Sequence, residues 1–175
     1  MIPYVLPVGL FVVLVLLRRR NHTFARIPVV DAAAWSLSAL LVVTGISHFS
    51  GLREELIRMV PPDIQRPDRM VSLIGFLELT GAAAFAWRPT RNAAGVALAL
   101  LFVALLPANI YAAQNGLTLG GKPVTPLWLR IPEQILFIAF ALTPLTVKIL
   151  GPHLRRPKRP ESPSPEGHGA APTAT

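Results

Sequence analysis

Residues 93–113 read AAGVALALLFVALLPANIYAA, a run with no charged side chain in which only Asn109 and Tyr111 are polar. As a helix it would rise about 32 Å at 1.5 Å per residue. That matches the roughly 30 Å hydrocarbon core of a bilayer. Working outward, Met70–Trp87, Trp128–Leu150 and Ile27–Phe49 are similar apolar runs, and Ile2–Leu17 is a shorter one of about 24 Å by the same rise. Charged or turn-forming segments separate them: Arg53-Glu54-Glu55, Arg66-Pro67-Asp68-Arg69, Arg88-Pro89-Thr90-Arg91-Asn92, and Asn115-Gly116 through Gly120-Gly121-Lys122-Pro123. Long apolar runs with such short connections predict an all-α polytopic transmembrane helical bundle, with four core helices plus one N-terminal helix.

Composition agrees with that reading. Of 175 residues, 52% are apolar and 15% charged, and mean hydropathy is +0.50. Soluble domains carry about 25% charged residues. The absence of cysteine excludes disulfides, thiolate metal sites and thiol redox chemistry within this chain. The net charge of +8 leaves a nucleic acid or a membrane as partner. No aromatic residue is interleaved with the basic run near the C-terminus, and no binding fold surrounds it, so nucleic acid is not expected.

Basic residues collect on the cytoplasmic side of bacterial membrane proteins. With five spans and the N-terminus outside, the inner segments hold Arg18, Arg19, Arg20, Arg26, Arg88, Arg91, Lys148, Arg155, Arg156, Lys158 and Arg159, eleven in all. The outer segments hold six: Arg53, Arg58, Arg66, Arg69, Lys122 and Arg130. The predicted topology therefore has an outside N-terminus and a cytoplasmic C-terminus. The first stretch lacks a basic region before its apolar run, so it reads as a retained anchor rather than a cleaved signal. A tilted interfacial helix is the alternative. Three units result: an anchor helix and basic loop over 1–26, a four-helix core over 27–150, and a basic, Pro-rich tail over 151–175. The tail is too polar to offset its ordering entropy and is expected to be disordered, its basic start against anionic lipid.

Ionisable groups at membrane depth are costly, and each is a candidate site. Glu78 lies near the middle of Met70–Trp87. Gly75, Gly81 and Ala82 stand at −3, +3 and +4 from it, so its helical face is otherwise small and should pack closely on a neighbour. Its carboxyl is either a proton-carrying or ligand-binding acid, or a single interhelical hydrogen bond that fixes packing. Asp31, in the first turns of the second span, is read as favouring a helix N-terminus near the inner interface. Arg130, Glu133 and Gln134 share one face of the last span, where Arg130 and Glu133 can pair and Arg130 can snorkel. Pro132 is placed in the first turn, where its missing N–H costs nothing. Pro107 should kink the fourth stretch, and Asn109 can serve a freed carbonyl, a neighbouring helix or a ligand. His48 ends the second stretch on the same side. These six residues from four helices form one polar layer, read either as a pocket opening outward or as a network holding the bundle. No set of metal ligands is apparent. Two-histidine haem ligation is disfavoured because His22, His153 and His168 fall elsewhere.

Several segments together resemble a known family. They are Gly45-Ile46-Ser47-His48-Phe49, Met59-Val60-Pro61-Pro62, Gly75 through Glu78-Leu79-Thr80-Gly81, Arg88-Pro89-Thr90-Arg91, Pro107-Ala108-Asn109-Ile110-Tyr111-Ala112-Ala113 and Leu129-Arg130-Ile131-Pro132-Glu133-Gln134. In order and spacing, over roughly residues 35–148, they resemble the DoxX-like family of small bacterial membrane proteins. The resemblance implies a four-helix core in the inner membrane and a link to redox or detoxification complexes. The positions carried over are His48, Phe49, Pro61, Pro62, Glu78, Pro107, Asn109, Arg130, Pro132 and Gln134. The chain departs from the pattern in its extra N-terminal helix, its basic tail, and Glu133, where the family commonly has leucine.

The function expected from this reading is an accessory membrane subunit without catalytic activity of its own. It would hold a quinone-like or lipid-like molecule at His48, Glu78, Asn109, Arg130, Glu133 and Gln134, and its expected partners are the bilayer, a redox complex or a second copy. Two alternatives predict different behaviour: a small proton-coupled transporter with Glu78 as relay, and a purely structural scaffold. Five short helices with no visible inverted repeat speak against the transporter.

Overall fold

The computed structural model describes the backbone of residues 5–20 and 28–154 and the side chains of 9–17 and 28–150. The apolar runs all become helices: α1 (Val5–Arg20), α2 (Val29–Ser47), α4 (Pro67–Ala86), α5 (Arg91–Gln114) and α6 (Leu127–Leu154), with a short α3 (Arg53–Arg58) after α2. The chain is an all-α bundle, as the runs predict. Among the described residues, four helices, α2, α4, α5 and α6, are long and apolar enough to cross a membrane. They close a ring in which α2 packs on α4, α4 on α5, α5 on α6 and α6 on α2. The fifth, α1, lies against α2, and the ring edge of Phe11 meets Phe140 of α6 at 5.3 Å.

The core is built from Ala34, Leu37, Leu40 and Leu41 of α2, Ala82 and Phe85 of α4, Ala94, Leu98 and Phe102 of α5, and Phe137 and Ala141 of α6. The outer faces are just as apolar: Val43, Phe76, Leu100, Val103, Ile135 and Val147 are all exposed. A helix that is hydrophobic all round is at rest only in an apolar solvent. This is a membrane protein. Between its helices, small residues replace the hydrophobic drive that lipid cannot supply. A Cβ on Gly95 would fall on the Ala141 carbonyl oxygen of α6, and one on Gly81 would stand 2.6 Å from Leu98 of α5.

Three boundaries differ from the sequence reading. Helix α1 runs on through Arg18–Arg20 instead of ending at Leu17, because arginine is a good helix former. Helix α6 continues to Leu154, four residues past the end expected at Leu150, so the tail does not leave the helix at Gly151. Pro132 is not in the first turn: α6 starts at Leu127, and the Arg130 amide already bonds the Pro126 carbonyl. Pro132 therefore lies in the second turn and deprives the Trp128 carbonyl of its helical donor. The loop through Arg26 and the tail from Arg155 onward lie outside the described residues.

One end of the bundle carries a cap. Pro61 and Pro62 shape the turn after α3, where the Ile64 amide bonds the Pro61 carbonyl. Two short strands, β1 (Thr118–Leu119) and β2 (Lys122–Pro123), pair antiparallel across Gly120-Gly121. Both glycines have positive φ, 61° and 71°, as a two-residue hairpin turn with right-handed strand twist requires. Glu55 of α3 accepts the Gly120 amide at 2.7 Å and ties the hairpin to the cap. Arg53 donates to the His48 and Asp68 carbonyls, at 3.1 and 2.9 Å, joining the end of α2 to the start of α4.

Candidate functional site

At the capped end, the last turn of α2 brings His48 over α4. The approach requires Gly75, since a Cβ there would stand 2.7 Å from both His48 Cβ and the Phe49 ring. Phe49 leans its ring edge on Phe76 at 5.2 Å. His48 thus comes within 3.8 Å of Glu78, measured from Nδ1 to Oε2, with both side chains nearly sealed from solvent at 10% and 8% exposure. At that distance the two are neighbours without a hydrogen bond. The ring nitrogen that bonds is Nδ1, 2.9 Å from the Thr44 carbonyl. A carbonyl only accepts, so Nδ1 carries the proton and Nε2 is left as the acceptor of the neutral ring. Burial, followed by the charge of Arg53, holds His48 below its ordinary 6.5, against the opposing pull of the Thr44 bond.

On the other side of the layer, Arg130 of α6 turns inward rather than snorkelling. It donates to Asn109 Oδ1 of α5 at 2.5 Å and lies 3.4 Å from Glu133 Oε2. Asn109 thus serves a neighbouring helix, one of the three roles open to it. Glu133 is almost wholly buried, whereas Arg130 keeps 23% of its side chain exposed. The Arg130 charge also reaches Glu78, which connects the two halves of the layer. Gln134 is committed elsewhere: its amide donates to the Phe102 carbonyl of α5. That carbonyl adjoins Val103, whose own helical donor Pro107 removes. Gln134 therefore stitches α6 to the proline-weakened stretch of α5.

Two oxygens in this layer are buried without any hydrogen-bond partner, Glu78 Oε2 and Glu133 Oε1. Such a group forfeits about 1–3 kcal/mol of solvation unless something supplies a donor or a proton. Among the described residues no three His, Asp or Glu side chains converge as metal ligands.

The opposite end holds a cluster that the sequence reading did not assemble. Asp31, buried in the first turn of α2, pairs with both Arg88 and Arg91. Arg91 is buried as well, and it also donates to the Phe85 and Ala86 carbonyls at 3.0 and 2.8 Å. These carbonyls end α4 and lack helical donors, so one guanidinium caps α4 and neutralises an acid at the N-terminus of α2. In the sequence, Arg88 and Arg91 serve as orientation signals and as part of the Arg88-Pro89-Thr90-Arg91 segment of the resemblance, with no partner assigned to either. The sequence clue was available: Asp31 and the 88–91 connection fall on the same side in the predicted topology.

Residues 37–144 match a family described as a domain of unknown function, DUF8561, and the chain belongs to that family. No curated protein and no solved structure shows significant similarity to it.

Proposed function

We propose that this member of the DUF8561 family is a binding subunit of the bacterial inner membrane that holds a quinone-like or other amphipathic small molecule in the layer under its hairpin cap. The observation that carries the proposal is the pair of orphaned buried oxygens, Glu78 Oε2 and Glu133 Oε1, in the same layer as the largely buried Arg130. A network built only to hold helices together is fully satisfied, because each unmet polar group at low dielectric is costly. This layer lacks donors at two points and has N–H groups of Arg130 to spare. A molecule with both hydroxyl and carbonyl oxygens fits that deficit. Arg130 would donate to its carbonyl, and Glu78 or Glu133 would accept from its hydroxyl or exchange the associated proton. A quinone would supply the electron-carrying chemistry when bound, since the chain has no thiol.

The resemblance of His48, Glu78, Asn109 and Arg130 to DoxX-like positions supports the same reading, including a partnership with a redox complex. The bias of Lys and Arg supports an outside N-terminus and a cytoplasmic C-terminus, which would put the hairpin cap and the layer on the outer side. The test is native purification followed by mass spectrometry of retained small molecules. The expected result is a quinone or lipid in stoichiometric amount in wild type, depleted in Glu78→Gln and Arg130→Ala. Wild type without any retained species would refute the binding role. Flux in proteoliposomes driven by a pH gradient would instead identify the transporter.

A further inference from the structure

His48 stands between Glu78 and the loops of the capped end, and it is the last residue before the exposed Phe49, Ser50 and Gly51. Its Nδ1–H, donated to Thr44, lies 3.8 Å from the partnerless Glu78 Oε2, and its Nε2 is a free acceptor. Toward the other end of the bundle, the environment of Glu78 is dry. The next turns of α4 on that face are Ala82 and Phe85, 2% and 0% exposed, packed with Leu37, Leu41 and Leu98. The Ser38 hydroxyl in that region already donates to the Ala82 carbonyl, and Ser36 to Ala32. Among the described residues, the charged groups beyond include Asp31, Arg88 and Arg91, the two arginines both paired with Asp31.

We infer that Glu78 exchanges its proton only with water at the hairpin end, through the imidazole of His48. In uptake, a hydronium ion at the hairpin end gives a proton to Nε2 and leaves as water, while the Nδ1 proton passes to Glu78 Oε2. The N–H bond at Nδ1 breaks, an O–H bond forms on the carboxylate, and the ring is left as its Nε2–H tautomer. No electrons move. The reverse transfer, on release, restores the ring. A small rotation of the ring closes the 3.8 Å gap and gives up the Thr44 bond during the transfer. The charged and titratable groups around the pair are Arg53 on the His48 side and Arg130, with its partner Glu133, on the Glu78 side. The hydroxyl beside the Glu78 carboxyl is that of Thr44, which also faces the Leu41 carbonyl at 3.4 Å and has no proton that titrates near neutral pH; the Ser47 hydroxyl next to His48 is taken by the Thr44 carbonyl. The inference rests on the proposed binding layer and names its coupling: a ligand held there gains or loses its proton toward one side only.

The test uses the full chain in detergent with no added ligand. After transfer to D₂O, exchange of the Glu78 carboxyl proton is followed by infrared spectroscopy, the band being assigned by its loss in Glu78→Gln. His48→Asn keeps an N–H for the Thr44 carbonyl and removes Nε2; it should slow exchange by roughly 10²-fold, the usual worth of a positioned acid–base group. His48→Gln, read the same way, serves if the first variant loses helicity. Ser38→Ala should leave the rate unchanged. Wild-type exchange rates in both His48 variants, slowing by Ser38→Ala, or no Glu78-dependent band in wild type would overturn the inference. Because no ligand enters this measurement, unslowed exchange refutes the relay alone, whereas the absence of a retained molecule refutes the binding site alone.

Discussion

Replacing Asp31 with alanine tests whether the far end of the bundle is held by a buried charge cluster. The Asp31 side chain is 5% exposed and that of Arg91 is 6%, whereas Arg88 is 70% exposed. Removing one partner of a buried pair leaves the other charge without compensation, at about 3–5 kcal/mol. Arg91 keeps its bonds to the Phe85 and Ala86 carbonyls, so the loss should fall near the lower bound, about 3 kcal/mol or two orders of magnitude in the unfolding equilibrium. Arg91→Ala should cost as much, since it strands Asp31 beside the exposed Arg88 and uncaps α4. Arg88→Ala should change little, because water screens its pair. The double variant Asp31→Ala/Arg91→Ala should lose less than the two single losses added together. The assay is reversible unfolding in mixed micelles, followed by far-UV circular dichroism. Asp31→Ala within about 0.5 kcal/mol of wild type would refute the argument. So would Arg88→Ala matching Arg91→Ala.

Three other outcomes follow from the packing and the site. Gly95→Ala puts a methyl group on the Ala141 backbone carbonyl, which cannot swing aside, so α5 and α6 must separate; a loss of about 1–3 kcal/mol is expected by the same unfolding assay. Gln134→Leu removes the bond to the Phe102 carbonyl and should cost about 1 kcal/mol, with no change in retained small molecule by mass spectrometry. His48 makes stability depend on pH. Its folded value lies below 6.5, so the unfolded chain binds the proton first as pH falls. Its contribution is intact above 6.5 and is lost as pH drops below 6.5 toward the folded value. Unfolding midpoints at about pH 8 and about pH 5 should therefore differ more in wild type than in His48→Gln.

Much of this architecture is visible along the chain because a bilayer imposes a one-dimensional rule. Each span needs its quota of consecutive apolar residues, and a charge inside one stands out, as Glu78 does between Gly75 and Gly81. Periodicity even gave the closeness of the Glu78 face to its neighbours, because small residues at −3 and +3 leave room for another helix. The predicted topology puts His48, Asn109, Arg130, Glu133 and Gln134 in one layer with Glu78. What it could not give is which partner each group takes. Gln134 has the same spacing credentials as Glu133, yet one side chain bonds a backbone carbonyl of α5 and the other keeps an oxygen without a partner. That outcome depends on the rotation of α6 about its axis and on its distance from α5, which residue spacing does not encode.

The sequence by itself determined the solvent, the number of long spans and the height of each polar group, since hydrophobic transfer acts locally on every segment. The Asp31 pair with Arg88 and Arg91 joins residues 57 and 60 positions apart, and the neighbours His48 and Glu78 are 30 positions apart in the chain. Only the closed ring of helices decides such encounters. There the low dielectric makes an ion pair at one end strong, and at the other it leaves two carboxylate oxygens without a partner.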